Sequence, residues 1–155
     1  MGKAQWGADP EFFGPRHAHR EDRIVHAVRA RLQPGGFHLE CAAGVGSLSI
    51  TLAGSGSTVV AADMSLRSLR VVARRAEAVG LSTAVLPVVA DITNLPFADG
   101  AFPSASSAET LEHIPSDRAA TRDLARVLAP GGWLVGTVPA DPGQWSDWDD
   151  WGGHL

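Results

Sequence analysis

The sequence predicts a doubly wound α/β fold with a mainly parallel sheet of five strands. Three features carry that expectation. The stretch Phe37 to Gly46, FHLECAAGVG, reads as a short strand that turns through small residues into the helical run SLSITLA. The run Thr58 to Asp63, TVVAAD, is a second, continuously apolar strand that ends in an acid. Beyond them strand and helix patterns keep alternating, and strands separated by helices pair in parallel through right-handed crossovers. A strand that turns through small residues into a helix also lets the backbone approach a ligand, with unpaired amide N–H groups of the helix start aimed at it. Asp63 follows those glycines at the distance at which a βαβ unit sets a carboxylate on a ribose diol, whose two hydroxyls match its two acceptor oxygens.

Taken in order, residues 1–18 are rich in Gly, Pro, Phe and His and read as irregular, with Trp6, Phe12 and Phe13 expected to dock on a surface. From about His19 to Leu32, Ile24, Val25, Val28 and Leu32 follow a 3.6 period and predict a helix lying on the sheet, ended by Pro34-Gly35-Gly36. After the central strand and its helix, Gly54 to Ser57 form a loop into the Asp63 strand. Ser65 then caps a helix that turns Leu66, Leu69, Val72, Ala73 and Ala76 inward and stops at Gly80. Ala84 to Ala90 is a third strand; Pro87 assigns it to a sheet edge, because proline cannot donate to a ladder. A loop from Ile92 to Phe102 leads to Ser104–Ala108, a strand on spacing grounds although Ser and Ala are poor strand formers. Ser116 to Leu128 is an amphipathic helix burying Leu124, Val127 and Leu128, and Ala129-Pro130-Gly131-Gly132 turns the chain into a fifth strand, Trp133 to Val138.

A chain of 155 residues makes one domain with one real core, and no apolar run in it is long enough to span a bilayer. The formal charge of −4, with acids and bases scattered, argues against a protein that coats a phosphate backbone. Arg67, Arg70 and Arg74 recur at helical spacing beside Arg75, and in that acidic balance they read as a solvated helix face. The single cysteine, Cys41, permits no internal disulfide and lies in a buried strand, so it reads as a core thiol. No export signal is visible at the N-terminus, and both points favour the cytoplasm. His17, His19, His26 and His38 show no mutual ligand spacing and read as surface or packing residues.

LECAAGVG, VVAADMS, VVADITNLPFADGAF, ETLEHIPSD and RVLAPGGWLVGTVP, in this order and spacing, resemble a class I S-adenosylmethionine-dependent methyltransferase of the small-molecule type, over about residues 20 to 140. The resemblance implies a Rossmann-like sandwich with strand order 3-2-1-4-5. It implies S-adenosylmethionine as cofactor, S-adenosylhomocysteine as product, and direct in-line transfer to an O, N or C acceptor on a small molecule. By position, Glu40 would help orient the methionine part of the cofactor, and Ala42, Gly44 and Gly46 would form the glycine loop. Asp63 would bind the ribose, with Met64 against the adenine face. Asp91 and Ile92 would meet the adenine amino group and ring edge, and Ala108 and Glu109 would pass the methionine and the reacting methyl. In-line transfer draws its rate from proximity and orientation and needs no covalent intermediate. His113 is the candidate general base for a hydroxyl acceptor, with a loop-packing histidine as the plainer alternative. Glu109-Thr110-Leu111-Glu112-His113 also has the E-x-x-E-H spacing of relatives that hold a divalent metal; many relatives carry such a string without one, and no metal ligands are assigned. The N-terminal segment, through Phe12, Phe13, Arg16 and His17, matches a region that relatives use as a lid.

The chain departs from the family at three places. Ala42 replaces the first glycine of the loop, Phe102-Pro103 stands where an acid usually follows the phenylalanine, and the chain stops at Leu155, where relatives continue into another helix and two antiparallel strands. A truncated chain is therefore expected, with the fifth strand as an open edge for a second copy or another partner to cover. The domain organisation expected is an irregular segment over 1–18, the cofactor domain over 19–140 and a tail over 141–155. In the tail Trp145, Trp148 and Trp151 alternate with Asp147, Asp149 and Asp150 and read as packing over the sheet edge rather than as an aromatic lid. Two other functions stay open. An NAD-dependent oxidoreductase would use the same βαβ unit, with Ser49 in place of its third glycine, and a non-catalytic cofactor-fold module would fit the departures. Nucleic acid and membrane are not expected partners.

Overall fold

The computed structural model describes residues 14–32, 35–139 and 143, with side chains from residue 18 onward; of the residues expected in a lid, Phe12 and Phe13 lie outside the described residues, as do the side chains of Arg16 and His17 and the tryptophans of the tail. Among the described residues four α-helices and five strands follow in the order α1 (Gly14–Arg29), β1 (Phe37–Cys41), α2 (Ser47–Ala53), β2 (Thr58–Asp63), α3 (Leu66–Ala78), β3 (Val85–Val89), β4 (Phe102–Ala108), α4 (Asp117–Val127) and β5 (Leu128–Thr137), with no helix between β3 and β4. The sheet has the order β3-β2-β1-β4-β5 and every pair is parallel, which is the predicted topology. Pro87 sits in β3, at the sheet edge, as its missing N–H requires.

β1 lies at the centre, and its alternation divides the molecule. Leu39 and Cys41 point to the side covered by α4, where they join Val60, Ala62, Phe102, Ala105, Leu124 and Val127. The opposite side, under α1, α2 and α3, holds Ile24, Val28, Leu52, Val59, Ala61, Val72 and Val85. β1 and β2 keep the bounds read from the sequence, because glycines and turn residues flank both.

Several elements differ from expectation. α1 starts at Gly14, inside the stretch read as irregular, with Pro15 in the first turn where a missing N–H costs nothing. It ends at Arg29, and Leu32 closes the following turn through its N–H to the Val28 carbonyl at 2.8 Å. On α3, Leu69, Val72 and Ala76 are buried, whereas Leu66 and Ala73 are exposed; the helix turns only a narrow stripe to the sheet. Its end has the hydrogen-bond pattern that Gly80 predicts, Leu81 N–H to Ala76 O at 2.8 Å and Gly80 N–H to Glu77 O at 3.0 Å, with Gly80 at φ +73°.

β4 begins two residues early, at Phe102, and crosses Pro103 through a register shift against β5. The shift puts Phe102 and Ala105, three residues apart, on the same side of the sheet. Leu128 starts β5, paired with Phe102, rather than ending α4 on its buried face, and the expected Ala129–Gly132 turn is the irregularity before Trp133 pairs with Ser104.

Candidate cofactor site

The carboxyl ends of β1, β2 and β3, with the segments that follow β3 and β4, enclose a cavity of about 130 Å³. Ala42, Asp63, Met64 and Ile92, all expected from the sequence, line it together with Cys41, Ala62, Ala90, Leu95, Thr110 and Ile114. None of these residues is basic. Cys41 and Ala62 are the last apolar positions of β1 and β2 and Ala90 directly follows β3, and the carboxyl-end rule for parallel sheets is the signal that could have found them. Leu95, Thr110 and Ile114 come from irregular segments whose path the sequence does not reveal.

The small-residue loop is built differently from a phosphate cradle. Ala42 takes φ +58°, the left-handed conformation for which a glycine is the unstrained choice. Ala43 donates its N–H to Ala62 O at 3.0 Å, and Gly46 donates to Ala43 O at 2.8 Å. Gly44 donates to Asp63 Oδ2 at 2.8 Å. The loop amides named here are thus engaged inside the loop and on β2, ahead of the helix start at Ser47 whose amides the sequence expectation concerned. Asp63 Oδ1 accepts from Ser65 N–H at 2.7 Å, so each carboxylate oxygen holds one backbone donor and retains a second lone pair. From behind, α3 braces the loop. A Cβ at Gly46 would fall 2.9 Å from the Val72 methyls, and Arg75 donates to Val45 O at 2.7 Å and to Ser47 Oγ at 3.2 Å.

Glu40 and His38 face away from the cavity, toward α1 and α2. Glu40 is buried and accepts from the Ser49 hydroxyl. Burial pushes its carboxyl up to about 8, against the pull of the Ser49 hydrogen bond and with Glu21 and Asp63 adding to the rise. His38, read as a surface or packing histidine, is fully buried and joins β1 to β4, with Nδ1 2.8 Å from Ser104 Oγ and Nε2 2.8 Å from Ser106 Oγ. Burial lowers its pKa to about 4, so the ring is neutral, one nitrogen donating and the other accepting. Cys41 is the core thiol the sequence predicts, buried and pushed up to about 12.

The remaining expected residues flank the cavity. Asp91 is exposed; its Oδ1 accepts from Thr93 N–H at 2.8 Å and Thr93 Oγ1 at 2.7 Å, bonds that hold its carboxyl below the usual range. Ala108 packs against the α1–α3 core. Glu109 follows it at φ +48°, donates its N–H to Thr137 O at 2.9 Å and pairs through Oε2 with Arg20 of α1 at 3.2 Å. His113 ends the 3₁₀ turn Leu111–His113, with its side chain exposed and not among the residues lining the cavity. Among the described residues no group of three or more His, Cys, Asp or Glu is placed to hold a metal ion. None of their helices is long and apolar enough to cross a membrane.

A parallel five-stranded sheet of this order, with a cavity at its carboxyl ends and an acid closing β2, defines a Rossmann-like nucleoside-cofactor domain. Residues 39–136 match the family model described as a methyltransferase domain, and the chain belongs to that family. It is 39% identical over 105 residues to the demethylmenaquinone methyltransferase of Mycolicibacterium vanbaalenii, a match covering 68% of this chain and 42% of that one. It is 34% identical over 130 residues to the methyltransferase GfsG of Streptomyces halstedii, covering 82% and 46%. Among solved structures, the [4+2]-cyclase SpnF superposes with a TM-score of 0.71 at 28% identity, covering 76% of this chain and 44% of that one. The chain spans less than half the length of each of these three proteins.

Proposed function

We propose that the chain is the cofactor-binding part of an S-adenosylmethionine-dependent methyltransferase acting on a small molecule. One observation carries the choice of cofactor: the cavity is lined by apolar residues, one threonine and one acid, with no basic side chain, and the Gly44 amide is already spent on Asp63. A dinucleotide brings a pyrophosphate that needs free amides or cations at this turn. A sulfonium nucleoside brings a positive charge, which suits a cavity whose lining carries one carboxylate, that of Asp63, and no cation. Ser107 Oγ, on β4 beside the cavity-lining Cys41, is buried without a hydrogen-bond partner among the described residues and gives the site a further polar contact to offer.

In this reading the free lone pairs of Asp63 accept from the ribose hydroxyls. Met64 and Ile92 cover the adenine, and Asp91 accepts from its amino group. Gly44 and Gly46 give the loop its close approach, Glu40 steadies it from behind, and Ala108 and Glu109 border the methionine end. When bound, S-adenosylmethionine supplies an electrophilic methyl group. The residues of this chain then have only to orient the reactants and exclude water, and His113 is the candidate to take a proton from a hydroxyl acceptor. The relative named for demethylmenaquinone supports a small-molecule acceptor. A partner surface, supplied by a second copy or another chain, covers the outer edge of β5. A second reading, a cofactor-binding module without methyl transfer, is favoured by the likeness to a structure described as a cyclase.

Calorimetric titration with S-adenosylmethionine, S-adenosylhomocysteine and NADH in parallel, on wild type and Asp63→Asn, tests the proposal. Micromolar binding of the sulfur cofactors alone, weakened at least tenfold in the variant, is the expected result. A folded wild type that binds NADH instead, or neither, would sink it, and methyl transfer to an acceptor separates the enzyme from the non-catalytic module.

A further inference from the structure

We infer that Arg126 and Asp123 of α4 are positioning residues for the cofactor cavity, acting through the segment between β3 and β4. That segment supplies Ile92 and Leu95 to the cavity wall, and of regular pairing it has only the single bridge between Asp91 and Asn94. Its shape is set instead by one guanidinium. Arg126 donates through Nη2 to Leu95 O at 2.8 Å and through Nη1 to Phe97 O at 2.7 Å and Asp99 Oδ1 at 2.9 Å. The same side chain is held by Asp123, from Nε to Oδ1 at 2.7 Å and from Nη2 to Oδ2 at 3.0 Å. Asp123 Oδ2 in turn accepts the Leu95 N–H, and the Arg126 carbonyl accepts the Gly100 N–H at 2.9 Å.

Both backbone groups of a cavity-lining residue, Leu95, are therefore fixed by a side-chain pair that does not itself line the cavity. The work needs a planar fork. A lysine at this position carries its three N–H donors on one nitrogen and cannot span the two carbonyls and both Asp123 oxygens as the five-donor fork does. Asp99 is 82% exposed, so its pairing with Arg126 is the dispensable part. The inference rests on the cofactor reading given above.

The test uses the whole chain as wild type, Arg126→Lys, Asp123→Asn, Asp99→Asn and Val28→Ala. Val28 is a core residue of α1 and serves as a control for lost stability. Amide hydrogen exchange without ligand and calorimetric affinity for S-adenosylhomocysteine are measured on each, with folding followed by circular dichroism. Arg126→Lys is expected to speed exchange at Leu95 and Gly100 at least tenfold and to weaken binding five- to twentyfold. Asp123→Asn shows the same pattern and stands in if Arg126→Lys does not fold. Asp99→Asn and Val28→Ala bind within twofold of wild type. Faster exchange with unchanged affinity, unchanged exchange, or an equal loss of affinity in Val28→Ala overturns the positioning role while leaving the cofactor reading intact. A folded wild type that binds no S-adenosylhomocysteine overturns both.

Discussion

The two faces of the sheet are made from the same strands and solve burial in different ways. Under α4 the layer is carbon and one thiol: Leu39, Cys41, Val60, Ala62, Phe102, Ala105, Leu124 and Val127. Under α1 and α2 the same strands bury His38, Glu40, Ser104 and Ser106, with Ser49 from α2. The apolar face is held by area and close fit. The polar face adds hydrogen bonds whose directions fix β1 against β4, at the cost of two ionisable groups held neutral by burial. Of the groups the strands bury, those that titrate between pH 4 and 8 thus lie on one face, and the other holds a thiol pushed up to about 12.

The largest effect comes from breaking the apolar face. Leu124→Ala opens a cavity beneath α4 and should destabilise the chain by about 3 kcal/mol in urea unfolding, equally at pH 6 and pH 8. The polar face is broken by pH. Glu40 stands at about 8 against 4.5 and His38 at about 4 against 6.5. A carboxyl raised in the fold contributes fully below its unfolded value and loses that contribution as pH rises through its folded value. A histidine lowered in the fold contributes fully above its unfolded value and loses it as pH falls through its folded value. The two slopes oppose each other between pH 4.5 and 6.5, and from 6.5 to 8 Glu40 acts without that offset. Wild type should lose about 2 kcal/mol over that upper window relative to Glu40→Gln. Equal slopes in the two proteins would mean that Glu40 is ionised in the fold.

Ser106→Ala sharpens the comparison further. It leaves one ring nitrogen of His38 without its partner and should cost about 1 kcal/mol in urea unfolding, whereas Cys41→Ala on the other face leaves no polar group unpaired. The smallest effect is expected where the faces meet. Ala42→Gly relieves the φ of +58° at the end of β1 and should raise stability by about 0.5 kcal/mol, net of the freedom glycine adds to the unfolded chain. A loss of that size instead would mean the alanine conformation is not strained.

Much of this was legible in the sequence, for identifiable reasons. β1, α2 and β2 keep their expected bounds because glycines punctuate them, and Pro87 correctly assigned β3 to an edge. Ser104–Ala108 forms a strand despite poor propensity because Ser104 and Ser106 serve a buried ring that no local pattern reveals. That His38 is a packing residue was one of the two readings, and its bridge to β4 stayed unread for the same reason, although its alternation with Glu40 places both on one face. Of the residues lining the cavity, Asp63 was legible from its strand end and spacing and Ala42 from the small-residue turn, whereas Met64 and Ile92 entered only through the family resemblance. The internal use of the loop amides was not legible, because which acceptor an N–H takes depends on the packing of β2 beside it.

The bridge from His38 to β4 also bears on how the molecule is made. Its partners lie 66 and 68 positions further along the chain. A polypeptide emerging from its N-terminus can pair β1 with β2 and β3, yet the other side of β1 stays open until Ser104 and Ser106 have left the ribosome. Until then the ring nitrogens of His38 can turn only to water. Of the five strands β1 is made first, and its second neighbour β4 only after β2 and β3, so the register of the central strand waits on a segment made much later.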